Sequence, residues 1–336
     1  MKGSTDTRYV YTISRIRVIE QKMLSPAMLE RMIEANSPEE ALKVLQDAGY
    51  GFAGEGHRVS DYERLLNEEQ EKVYQLLMET VPDPREFDLL IIKNDYHNLK
   101  VYLKAELSDQ EVNSSYLLKP SLIPGEQLAD LFRERDFAEL PARMTEAVEA
   151  SFDAFAKTRD PQMVDLILDT ALYSHMLELS AEVNSEFVTG LVNTMVDLTN
   201  LRILLRTKLI NRPWEFMKSF LIAGGSFDSE FYRELHELEF DQIAKAYANT
   251  AYSQLLIESM NSLRLSRSLA GFEKLCDNYL VAMLKTTKYS IFGIEPLVAY
   301  YLAKEMEIKN VRIIMVGKIN RLEQYAIRER LRETYV

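Results

Sequence analysis

The sequence predicts an all-α protein built from three similar helical units, and three observations carry that prediction. First, one pattern occurs three times: an acid, two residues, an Asn, an apolar residue and a base. It reads "DYHNLK" from Asp95 to Lys100, "DLTNLR" from Asp197 to Arg202 and "EIKNVR" from Glu307 to Arg312, so Asn98, Asn200 and Asn310 recur at intervals of 102 and 110 residues. Second, helix-start signals precede runs of apolar residues at helical spacing. Third, Gly is only 12 of 336 residues, roughly half the usual ~7%, and no segment keeps the period-two alternation of a half-buried strand.

Taken in order, Ser25-Pro26 reads as an N-cap with proline at the first helical position, where its missing N–H costs nothing. Ser37, Pro38 and Glu40 repeat the device as a capping box, and Gly49 supplies the stop. Ser60 to Glu63 opens the next helix, whose stripe is Leu65, Leu66, Val73, Leu76 and Leu77. Asp83-Pro84, Asp160-Pro161 and Glu295-Pro296 are three further starts. Pro, Gly and Ser cluster at 119–125, 211–213 and 223–229. These clusters place unit boundaries near 118 and 216, giving units 1–118, 119–216 and 217–336.

Each repeat has companions. "YERLLN" ending at Asn67, "VDLILD" at Asp169 and "FEKLCD" at Asp277 stand 31, 31 and 33 residues before the repeated Asn. "LSP" at Leu24, "LIPG" at Leu122 and "LIAG" at Leu221 open the units. On a helix the acid and the Asn share a face, which position 102, 204 or 314 continues; the base points roughly the other way. Asn is a poor helix-interior residue because its amide competes for backbone hydrogen bonds. Its recurrence therefore suggests a fixed polar contact between packed helices, with Asn67, Asp169 or Asp277 as the candidate partner, and a structural bond weighs more than a ligand contact. The bases recur one turn on, as Lys100 with Lys104 and Arg202 with Arg206. The third helix has Arg312 but Val316 at the matching place. Two readings of this basic face stay open, a solvated surface or a docking surface for an acidic partner.

Composition bounds the function. Acids outnumber bases 52 to 40, a net charge of −12, which argues against nucleic-acid binding. A single cysteine, Cys276, excludes an internal disulfide and a structural zinc cluster and points to a reducing, cytosolic setting. The N-terminal stretch has no continuous apolar signal region, and no run approaches the ~18 apolar residues of a membrane span. Chemistry-bearing motifs fail on inspection. "GFAGEGHR" from Gly51 has P-loop glycine spacing, but His57 stands in the lysine's place and Arg58 where Ser or Thr belongs. The loop also follows a helix rather than a strand. The histidines at 57, 97, 175 and 236 lack a His or Cys partner at metal-ligand spacing. The pairs Glu39-Glu40 and Glu68-Glu69 are adjacent on helices and do not converge. The 14 Met and 18 Tyr suit adaptable helix packing. The residues thus predict no catalytic, cofactor or metal site and no small-molecule substrate.

The segments "KNDYHNLKVYLKAEL", "VDLTNLRILLRTKL" and "EPLVAYYLAKEMEIKNVRIIMVGKIN", in this order and spacing, resemble the C subunit of archaeal and bacterial A/V-type rotary ATPases, a family that includes the d subunit of the eukaryotic vacuolar enzyme. The resemblance runs from about Tyr9 to Arg332 and is most specific in the last segment. It implies a funnel of three helical domains about a pseudo-threefold axis, peripheral on the cytoplasmic side of the membrane. It also implies a non-catalytic place in the central stalk between the rotor subunits and the membrane proteolipid ring, serving proton or sodium transport. Arg15, Ile16 and Arg17 faintly echo the repeat, as if the first helix closed a set of units. A general helical scaffold or adaptor is the other reading of the repeats.

Overall fold

The computed structural model describes residues 6–51 and 58–336, and the described residues contain helices, turns and loops with no strand. His57 and most of the glycine loop fall outside them. The helices are α1 Val10–Glu20, α2 Pro26–Glu34, α3 Pro38–Asp47, α4 Tyr62–Thr80, α5 Asp88–Leu107, α6 Gly125–Glu134, α7 Ala142–Thr158, α8 Pro161–Glu182, α9 Glu186–Leu209, α10 Trp214–Lys218, α11 Ser229–Glu237, α12 Phe240–Ala246, α13 Ser253–Ser266, α14 Ala270–Lys285, α15 Glu295–Ile319 and α16 Gln324–Arg330.

Most of the expected caps are present. The Ser25 hydroxyl accepts from Met28 N, Ser37 from Glu40 N, and Asp160 from Gln162 N, each ahead of a first-position proline. Gly49 ends α3 at φ +96°, a conformation that suits a residue without Cβ. Three starts differ in detail. Asp83-Pro84 opens a 3₁₀ turn, Pro84–Phe87, and α5 begins only after it. The Glu40 carboxylate reaches past Ser37 to Asn36 N, so the box is one residue wider than expected. Ser60 does not cap α4; Asp61 does the local work by accepting from Arg58 N across a 3₁₀ turn, Val59–Asp61.

The chain forms two compact units, Pro84–His236 and a discontinuous one joining Met1–Asp83 to Glu237–Val336. Within the first, α5 packs on α6, α7 and α8, and α9 on α8 and α10. Within the second, α15 packs on α1, α2, α3, α4, α14 and α16. The helices carrying the repeats, α5, α9 and α15, are the buried centres of these bundles, apolar on nearly every face rather than along one stripe. Positions 102, 204 and 314 are buried as their spacing predicts.

Candidate functional site

What the repeat builds is the same clasp three times. Asn98 Nδ2 donates to Leu118 O at 3.1 Å while Leu118 N donates to Asn98 Oδ1 at 2.8 Å. Asn200 exchanges the same two bonds with Ile222, both 2.9 Å. Asn310 exchanges them with Arg332, at 3.1 and 2.9 Å. A buried amide has one donor and one acceptor side, and each is used on the N–H and C=O of one residue in the segment that crosses the helix. The expected partners, Asn67, Asp169 and Asp277, are not those the Asn takes. The side chain satisfies main chain that would otherwise be stranded against an apolar helix.

One turn earlier the acid grips the same crossing segment in the first two copies and a different segment in the third. Asp95 accepts from Leu122 N and Ile123 N, and Asp197 from Ser226 N at 2.7 Å. Glu307 accepts from Leu24 N, from the other end of the chain, and from Tyr50 Oη. These bonds fix the register of the repeats: Leu118, Ile222 and Arg332 are equivalent, as are Leu122, Ser226 and Leu24. "LIAG" is therefore not opposite "LIPG" but five residues out of step with it. The N-terminal segment from Leu24 serves α15 as the downstream segment serves α5. Gly225 is required beside the second clasp, because a Cβ there would sit 2.4 Å from Asp197 Oδ1.

The clasp acids differ electrostatically. Asp95 is fully buried, and burial pushes its carboxyl up to about 6 despite the N–H bonds from Ile123 and Leu122 that favour the charged form. Glu307 instead sits beside Lys304 Nζ at 2.7 Å, and Lys304 also reaches Glu69 at 3.2 Å. Both members of that closer pair are almost wholly buried, with side-chain exposures of 4% and 5%. Burial and the charge of Glu307 together raise the Tyr50 phenol well above its usual range, so it stays a donor. Sequence reasoning missed this group. Its one signal was Lys304, a charge three residues before Glu307 inside an apolar run.

The repeated bases lie beside companion helices. Lys100 pairs with Asp169, and Lys104 with Asp165 at 2.7 Å. Arg312 makes a forked contact with Glu63 on α4 at 2.9 to 3.1 Å. These acids belong to the companion pattern, so the pattern's carboxylates meet the bases rather than the Asn. Arg202 stands 3.8 Å from Asp169 with its side chain 35% exposed, and Arg206 is exposed. Glu69, expected on a solvated face, is partly buried against Lys304. Among the described residues no group of three or more His, Cys, Asp and Glu is placed to hold a metal ion. No helix among them is long and apolar enough to cross a membrane.

The family model of the ATP synthase (C/AC39) subunit matches residues 12–330. The chain belongs to that family. Among curated relatives, the C subunit of the V-type sodium ATPase of Enterococcus hirae is 26% identical over 321 residues, covering 95% of this chain and 97% of that protein. The C subunit of the A-type ATP synthase of Methanocaldococcus jannaschii is 24% identical over 344 residues, covering 96% and 86%. The match takes in all three clasp Asn residues, and of their partners Leu118 and Ile222 but not Arg332.

Proposed function

We propose that the chain is a non-catalytic central-stalk subunit of a rotary A/V-type ATPase or ATP synthase. In this reading it is a socket that couples the rotor shaft to the membrane proteolipid ring during proton or sodium transport, on the cytoplasmic side and peripheral to the membrane. The observation that supports it is the triplicated clasp. The polar groups repeated three times are committed to main-chain hydrogen bonds that hold a helical scaffold together. Three copies of one clasp also support three similar domains, 1–118, 119–216 and 217–336, arranged as a funnel about a pseudo-threefold axis.

Docking to an acidic foot of the stalk is part of the proposal, through Arg202 and Arg206 with Lys100, Lys104 and Arg312 on the equivalent helices. Arg206 is the most available of these, while the other four have carboxylate partners within the chain, Arg202 the most distant at 3.8 Å. Co-purification tests the function: the tagged chain should bring down stalk and proteolipid subunits and show no ATP turnover alone. Turnover by the isolated chain, or a complex lacking those subunits, overturns it. Reversing Arg202 and Arg206 to Glu tests the docking face. Association with the stalk should slow most at low salt, where charge steers encounter; an unchanged rate would leave that face a solvated surface.

A further inference from the structure

Six large apolar side chains among the described residues are more than 60% exposed, and four of them lie in one region of the discontinuous unit. Tyr11 (66%) and Val18 (62%) are on α1, while Tyr289 (89%) and Ile291 (61%) are on the loop between α14 and α15. The loop is tied to the helix. Arg17 Nη2 donates to Thr287 O and Ser290 O, both 3.0 Å, and Gly293 N donates to Asp6 O at 2.9 Å. Val18 therefore adjoins the residue that holds the loop, and Tyr289 and Ile291 flank the carbonyl it holds.

Helix α1 has two faces. Thr12, Ile13, Ile16 and Glu20 turn inward and are buried. Tyr11, Arg15 and Val18, spaced i, i+4 and i+7, form an outward stripe, and Lys22 follows in the next turn. The stripe alternates apolar and basic side chains, and Lys288 adds a third exposed base from the loop. No carboxylate pairs with Arg15, Lys22 or Lys288 among the described residues; Arg15 lies over the Tyr11 ring at 5.9 Å. Between Thr7 and Leu24 the one acid is Glu20, which is buried and held by Arg17 and Tyr335. From Thr286 to Ile294 there is none. In a chain of net charge −12 this is a local reversal of sign on an apolar surface.

We propose that Tyr11, Arg15, Val18, Lys288, Tyr289 and Ile291 form a docking surface for an acidic, apolar-faced segment of a partner protein. The apolar side chains supply area to bury, with tyrosines suited to an interface because they bring large contact area at little entropic cost. The bases select negative charge and set the encounter rate. An anionic bilayer fits less well, since Arg15 and Lys288, even with Lys22 in the next turn, are few at roughly 1 kcal/mol each and the rest of the chain is repelled by it. The proposal rests on the reading of this chain as one subunit of a larger complex, but it names a surface distinct from the Arg202 face.

The test is photocrosslinking in the purified complex with Tyr289→p-benzoylphenylalanine. The expected product joins this chain to a partner segment in which carboxylates outnumber bases. A crosslink to a neutral or basic segment, a crosslink to lipid, or none overturns the proposal. A crosslinked acidic partner that is not a rotary ATPase subunit would sink the proposed function and leave the docking surface standing. In a second arm, Arg15→Glu with Lys288→Glu should slow association of the chain with the rest of the complex about tenfold at low salt, and less at high salt. A rate unchanged at every salt concentration overturns the charge assignment. Co-sedimentation of the wild-type chain with phosphatidylcholine–phosphatidylserine vesicles, lost in the same variant, would make the occupant a membrane and overturn it as well.

Discussion

The Asn residues of α5 and α15 make the same pair of main-chain bonds, but the acids one turn before them sit in different electrostatic surroundings. Asp95 lies under two main-chain N–H groups, and burial raises its pKa to about 6. Glu307, one methylene longer, reaches a segment 283 residues away in sequence and shares its pocket with Lys304, Glu69 and Tyr50. When the crossing segment follows directly, a short acid and two amides suffice. When it comes from the far end of the chain, the joint carries an internal cation and a phenol as well. The lesson is that the repeat specifies a main-chain contact, while the charge around it is free to vary.

The largest break in that comparison is at Lys304. Lys304→Met leaves the almost wholly buried Glu307 without its cation, while Glu69 keeps Lys72 at 3.5 Å, and should cost about 3–5 kcal/mol. Urea unfolding followed by circular dichroism measures it. Lys304→Met with Glu307→Gln should recover part of the loss, because a neutral amide is cheaper to bury than an unpaired carboxylate. If the double variant is no better than the single one, Lys304 and Glu307 are not a coupled unit.

Next come the amides themselves. Asn98→Leu, Asn200→Leu and Asn310→Leu each strand one N–H and one C=O, and should cost roughly 1–3 kcal/mol apiece. Because the bonds are alike at the three sites, the losses should be alike too. A loss confined to one site would show that the clasps are equivalent in shape only.

The sequence made the three Asn positions legible, along with the caps at Ser25, Ser37 and Asp160 and the burial at 102, 204 and 314. Those features depend on local spacing and on side-chain type. The partners of the Asn were illegible for a physical reason. Two aliphatic residues, Leu118 and Ile222, share the role with a charged one, Arg332, because the contact uses their backbone and leaves no side-chain signature. The same reason explains why "LIPG" and "LIAG" stand five residues out of register: their letters are alike, but the structure matches main-chain positions. Lys304 was visible as a letter, but its role required knowing that the N-terminal segment returns to α15.

A pH comparison separates the two clasps by a smaller amount. The native Asp95 carboxyl binds its proton more tightly than an unfolded aspartate at about 3.9, so its contribution favours folding at low pH and is lost as pH rises through about 6. From about pH 7.5 to about pH 5 the wild type should gain roughly 1.4 kcal/mol relative to Asp95→Asn, which has no proton to bind there. Thermal melts of both proteins across that range give the difference directly. A constant difference would mean that Asp95 titrates in its ordinary range.

The smallest effects belong to the ion pairs beside the clasps, and they sharpen the comparison by testing what surrounds it. Lys104–Asp165 and Arg312–Glu63 are each about two-fifths exposed, at 43% and 39% and at 38% and 41%. Water screens such pairs, and ordering two long side chains offsets much of the attraction, so Lys104→Met and Arg312→Met should each cost under about 1 kcal/mol and less still in high salt. Lys100–Asp169 is better covered, at 20% and 30%, and Lys100→Met should cost the most of the three. The ranking follows from exposure alone, so it should ignore which clasp a pair adjoins. If Arg312→Met instead proves the costliest, the forked contact with Glu63 helps hold the N-terminal segment on α15. The bases would then be part of the joint that closes the discontinuous unit rather than a surface beside it.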